Sequence, residues 1–187
     1  MSDIIKLMSK RLFFIALLPP LKIQHSANRI KHYFAEVYHS KAALKSPPHI
    51  TLQPPFYWES DRFVELQTVV KEFANKQAPI PIVLDGFAVF KPRVIYIDVH
   101  KTPELLTVQK DLVQLLESSL KIVHNASKTR PFTPHMTVGF KDLTKANFYK
   151  AWKDFQYKPF DAEFTVSKLT LLQFMGQQWE IKSDFYL

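Results

Sequence analysis

The sequence predicts an α+β chain of two pseudo-symmetric lobes, mostly antiparallel sheet with helices outside and a central cleft. Three observations carry that expectation. Short β-branched and aromatic runs alternate with stretches whose apolar residues recur every three or four positions. Pro48-His49-Ile50-Thr51 returns as Pro134-His135-Met136-Thr137, with the second His 86 residues after the first. That offset is close to half of the 187 residues, and it is too long for a solenoid repeat. The whole chain, 1–187, is therefore expected to be one domain holding a lobe-level repeat at about 11–90 and 94–187.

Taken in order, residues 11–18 (RLFFIALL) are a continuous apolar run of strand length closed by Pro19-Pro20. Residues 21–44 have helical spacing, through Ile23, Ile30, Phe34, Val37 and Tyr38, and Pro47-Pro48 stop the pattern. A short strand at 49–53 ends at Pro54-Pro55, and 61–77 reads as a second helix. Residues 80–90 and 94–100 read as two strands separated by Lys91-Pro92-Arg93. The order then begins again. Thr102-Pro103 offers a cap and a proline at the first helical position, with helix to about 124. A basic loop with Lys128 and Arg130 precedes a strand at 133–140, a helix at 144–155, and closing strands at 160–174 and 179–187. Shifted by the same offset, the first strand partly overlaps 94–100 and the strand 80–90 falls over 166–176.

Composition removes several chemistries. No Cys is present, which excludes disulfides, thiolate zinc sites, iron–sulfur clusters and a Cys nucleophile. Three widely spaced Gly exclude a glycine-rich phosphate loop, so phosphate must be handled by side chains. Twenty-five basic against 17 acidic residues give a net charge of +8, which favours an anionic partner. Lys6, Lys10 and Arg11 ahead of the first apolar run suggest a signal peptide, but the run meets prolines rather than a small-residue cleavage site. No apolar run nears the roughly 18–20 residues that span a bilayer. A cytoplasmic location without membrane contact is expected.

The repeated tetrapeptide is where chemistry concentrates. Along a strand, residues two apart share a face, so His49 and Thr51 point one way while Ile50 and Leu52 point to a core. His135 and Thr137 repeat this, with Met136 and Val138 as apolar partners. If the lobes face each other, two His and two Thr converge on one cleft. Imidazole has an ordinary pKa near 6.5, so one ring can take a proton while the other gives one. Hydroxyls can donate to non-bridging phosphate oxygens where charge develops. The rival reading is a fossil duplication that keeps the tetrapeptide for packing. Two copies, each after proline and each inside an apolar strand, favour catalysis.

The two motifs His49-Ile50-Thr51-Leu52 and His135-Met136-Thr137-Val138 resemble the paired H-x-T/S-hydrophobic motifs of the 2H phosphoesterase superfamily. Within it the chain is most similar to the bacterial 2′-5′ RNA ligase and cyclic phosphodiesterase branch. The likeness extends over RLFFIALLPP, KPRVIYIDV, PFTPHMTVGF and the closing aromatic strands. It implies a bilobal fold with a central cleft and metal-independent opening of 2′,3′-cyclic phosphates. It equally implies the alternative, making or breaking of 2′-5′ linkages. His49 and His135 would be the acid–base pair, and Thr51 and Thr137 the phosphate ligands. A binding module for RNA or nucleotide ends that has lost turnover is the rival outside the enzymes. Many ligase-type relatives carry Arg after the second motif, where this chain has Gly139-Phe140-Lys141. Strand parity would turn Lys141 to the His135 face if the strand ran that far.

Further residues are singled out. Phe56 is expected to stack on a base, in the run Phe56-Tyr57-Trp58. Tyr96, alternating with Val94 and Asp98, is expected to border the cleft, and Lys91, Arg93, Lys128 and Arg130 to form a basic rim. His25, His32 and His39 recur at seven-residue spacing, about 10 Å apart along a helix, too far to share an ion. No metal and no cofactor are expected. The expected partner is an RNA end or small nucleotide, bound by a monomer.

Overall fold

The structure, a computed structural model, describes residues 10–125 and 129–187. Its strands are β1 (Lys10–Leu17), β2 (Ile50–Glu59), β3 (Ile80–Phe90), β4 (Val94–Val99), β5 (His135–Gly139), β6 (Asp161–Val166), β7 (Lys168–Phe174) and β8 (Trp179–Tyr186). The helices are α1 (Leu21–Val37), α2 (Phe63–Ala74), α3 (Pro103–Leu120) and α4 (Lys145–Phe155). The strands form two four-stranded antiparallel sheets, ordered β2-β1-β7-β8 and β5-β4-β3-β6.

Neither sheet is built from one half of the sequence. The repeat offset carries β1 to β4, β2 to β5 and β3 to β7, and the third member of each set crosses over. Thus β3 pairs with β4 in the second sheet, and β7 pairs with β1 in the first. The spatial lobes therefore cut across the sequence halves 11–90 and 94–187. Helices cross as well: α1, which follows β1, packs on β5, and α3, which follows β4, packs on β2. The apolar faces of both sheets and all four helices share one contiguous core, from Phe13 and Ile50 to Met136 and Phe148.

Several boundaries differ from the sequence expectation. The strand after the first motif does not stop at Pro54-Pro55 but runs on to Glu59. β2 is a sheet edge, where a missing proline N–H costs no ladder bond. Residues 160–174 form two strands, not one, because the chain leaves β6 in one sheet and enters β7 in the other across Ser167. The first helix ends at Val37, and His39 adopts a left-handed φ of 54° that turns the chain into a short 3₁₀ segment, Ala42–Lys45. The 102–124 helix likewise stops at Leu120, capped by left-handed Lys121 and opened by the Thr102 hydroxyl, which accepts from Leu105 N. Among the described residues no helix is long and apolar enough to cross a membrane.

One close approach holds the second motif strand in place. A Cβ on Gly139 would lie 2.5 Å from Phe34 Cδ1 and 2.8 Å from Cε1, and the Phe34 ring is wholly buried. Gly139→Ala should therefore force α1 off β5 and cost about 1–3 kcal/mol, read as a lower urea midpoint at unchanged m-value. A midpoint equal to the parent would show that the helix yields freely.

Candidate active site

The motif strands β2 and β5 are edges of different sheets, and these two edges meet. Proline sets up each histidine. The residue before a proline is held extended, so in Pro47-Pro48-His49 and Thr133-Pro134-His135 a carbonyl lies two residues ahead of each ring. His49 Nδ1 lies 2.7 Å from Pro47 O, and His135 Nδ1 lies 2.8 Å from Thr133 O. A carbonyl only accepts, so Nδ1 carries the hydrogen in both rings and Nε2 is left for chemistry. Thr51 and Thr137 follow on the same faces, half-buried, across from Ala16 on β1 and Tyr96 on β4.

The surroundings make the two histidines unequal. His135 lies directly across from Asp98, with Phe90 and Tyr96 rings 5.0 Å and 5.1 Å from its own. Burial lowers its pKa, while the Thr133 carbonyl and the Asp98 carboxylate pull it back up. His49 sits against Phe14, 4.8 Å ring to ring, and Phe14 is backed by Trp179 at 4.6 Å. Burial brings His49 down to about 4 against the pull of the Pro47 carbonyl, and the positive charges available to Lys31 and His135 push the same way as burial. Both rings are thus neutral at rest near pH 7, and His135 is the easier to protonate. Burial, then Asp98, also raises the Tyr96 hydroxyl, which stays protonated as a donor.

A cavity of about 990 Å³ opens beside His135 and is lined by Thr51, His135, Phe90, Gln109, Lys110 and Arg130, among others. Arg130 lines the same cavity as His135, and Tyr96 packs against the His135 ring. Lys91 and Arg93 are exposed in the β3–β4 turn, and Lys128 lies outside the described residues. Two expectations fail. Phe56 is 8% exposed and sits in the core with its ring 6.3 Å from Phe13, because its side chain falls on the inner face of β2; it has no face free for a base. Lys141 lies beyond the end of β5 at a left-handed φ of 59°, so strand parity no longer applies to it. There Asp142 accepts from Ser40 Oγ, Lys41 N and Ala42 N, which turns the chain away from the strand direction. His25 and His32 are exposed on α1, as the surface reading has them.

The aromatic walls are what sequence reasoning missed. Phe14 and Trp179 on one side and Phe90 on the other look like core residues in apolar strands. The available signal was parity in β1: Phe13, Ile15 and Leu17 face the main core, while Phe14, Ala16 and Leu18 form a separate small cluster behind His49.

Comparison with known proteins matches this geometry to a family. Residues 19–178 match the 2′-5′ RNA ligase superfamily. A Bacillus cytotoxicus protein named "Putative phosphoesterase" is 31% identical over 179 residues, spanning 92% of this chain and 95% of the relative. One of the same name from Geobacillus kaustophilus is 29% identical over 175 residues, spanning 91% and 93%. Among solved structures, E. coli LigT complexed with 3′-AMP superposes with a TM-score of 0.65 at 18% identity, covering 95% of this chain and 98% of LigT. The Thermus thermophilus protein TT0787 gives 0.65 at 16% identity, covering 94% and 97%. With most of its length matched and both H-x-T motifs in place on facing strands, the chain belongs to the 2′-5′ RNA ligase superfamily, the 2H phosphoesterases.

Proposed function

We propose that the protein is a metal-independent phosphodiesterase that opens 2′,3′-cyclic phosphates at RNA ends or on nucleotides. The observation that carries this reading is the pair of imidazoles with Nδ1 tied to a carbonyl and Nε2 free. In the reaction, His49 Nε2 takes a proton from water as the water oxygen attacks phosphorus. One ribose–oxygen–phosphorus bond breaks, and His135 Nε2–H protonates the departing ribose oxygen. The product is a phosphomonoester beside a free hydroxyl. Thr51 and Thr137 donate to the non-bridging oxygens, and Arg130 draws the anion to the cavity mouth.

The role assignment follows from charge. His49, with an apolar ring against it and cations near it, is the base. His135, facing Asp98, is the acid, and a bound phosphate anion raises it further toward the protonated form. Phe90, 39% exposed beside His135, and Trp179 beside Phe14 offer faces for a base. The crystallised complex of LigT with 3′-AMP supports a nucleotide as the occupant of this cleft. The same proton transfers in the same direction, with a ribose 5′-hydroxyl in place of water and the 3′-oxygen leaving, give the 2′-5′ joining for which the superfamily is named, and their reversal cleaves that linkage.

His49→Ala and His135→Ala should each lower kcat for nucleoside 2′,3′-cyclic phosphate hydrolysis in EDTA by about 10²-fold or more, with circular dichroism unchanged. A single variant at parental rate contradicts two-histidine catalysis. The pH profile should be bell-shaped. Asp98→Asn removes the charge that raises His135, so the alkaline limb should move to lower pH while the acid limb stays. An alkaline limb that does not move would assign the acid role elsewhere.

A further inference from the structure

Among the described residues one lysine or arginine is buried, and the mechanism does not use it. Lys31, on α1, is 2% exposed, and among the described residues its ammonium donates a single hydrogen bond, 2.9 Å to Ser46 O. Among the described residues no carboxylate pairs with it. An ammonium can donate three bonds, and burying one without a counter-ion is costly. A methionine would fill the same space without that cost. The place where the charge is held gives the reason. Ser46 is followed directly by Pro47, whose carbonyl accepts from His49 Nδ1. The ammonium, two consecutive backbone carbonyls and the imidazole thus form one short continuous stretch of structure.

We propose that Lys31 is a positioning residue for the reaction: it anchors the Ser46–Pro47 backbone that fixes the His49 ring, and its buried ammonium adds like-charge repulsion to the burial of that ring. The inference rests on the phosphodiesterase reading only for the reaction served; the electrostatic link stands in the resting protein. Lys31 touches no substrate. The titratable groups acting on His49 are Lys31 from α1 and His135 from β5, while β1 contributes Phe14, backed by Trp179 of β8. Lys31 itself is lowered by burial from the usual lysine range to about 7. The partner that tunes His49 therefore changes charge inside the physiological range.

The test follows the His49 ring Cε1–H resonance of the full chain from pH 3.5 to 8.5. The unmodified protein should give a main transition well below the ordinary imidazole value and a second, smaller inflection near pH 7 as Lys31 loses its proton. In Lys31→Met the second inflection should vanish and the main midpoint should rise by roughly half a unit or more, as expected for loss of a nearby like charge. In Lys31→Arg the inflection should vanish while the midpoint stays low. With cyclic phosphate as substrate, the acid limb of kcat/KM should rise with the midpoint in Lys31→Met at unchanged KM. A folded Lys31→Met variant whose His49 midpoint does not move would reduce Lys31 to a tether. The inflection in the unmodified protein needs no variant to fold, and its absence would overturn the electrostatic link. Absence of turnover alone would overturn the phosphodiesterase reading and leave the titration result standing.

Discussion

The arrangement depends on the exchange of one strand between the two repeats. A sheet made only of β1, β2 and β3 would close each half on itself. Instead β3 continues the sheet of β4, and β7 returns to lie beside β1. The two sheets are laced together at their middles, which leaves β2 and β5 as edges that meet. An edge strand normally exposes unpaired backbone and invites association. Here the prolines within β2 blunt one edge, and α1 packs on the other, where Gly139 leaves no room for a Cβ. The same two edges carry the His-x-Thr motifs, so the constraint that closes the fold also brings the two motifs together.

Symmetry builds the paired motifs, and departures from symmetry make their surroundings unequal. Each motif supplies the same parts: a proline, a carbonyl two residues ahead of the ring, a histidine in one tautomer, and a hydroxyl beyond it. Acid–base catalysis needs the rings to differ, because one must hold a proton while the other accepts one. The difference comes from outside the motifs. Asp98 faces His135, an aromatic ring faces His49, and Lys31 reaches from α1 to the backbone leading into His49. A repeated motif thus sets the geometry, while side chains at neighbouring positions bias the charge states.

Much of this was legible in the residues. The tetrapeptide, its repeat offset and the two-residue alternation of a strand place four side chains on two faces, and the fold class follows from the order of apolar runs. Less legible was anything that depends on where a chain changes sheets. Ser167 carries no proline or glycine signal, yet two sheets divide there. Phe56 and Lys141 differ from expectation for separate reasons: β2 runs on through Pro54-Pro55, which keeps Phe56 on the inner face with Ile50 and Leu52, while for Lys141 parity counts only as far as the strand extends. β2 shifts register near Gln53, and β5 stops at Gly139. Lys31 gave no signal at all, since a lysine in an amphipathic helix is ordinarily a solvated one.

The central claim is that both Nε2 atoms, in the same tautomer, open onto one anion site. Ring nitrogen shifts of His49 and His135, recorded at neutral pH and through a titration with a nucleoside 2′-monophosphate, address it most directly. The account predicts the Nδ1–H tautomer for both rings before ligand, and movement of both Nε2 resonances along one saturation curve. A ring in the opposite tautomer, or a response confined to one histidine, would contradict it.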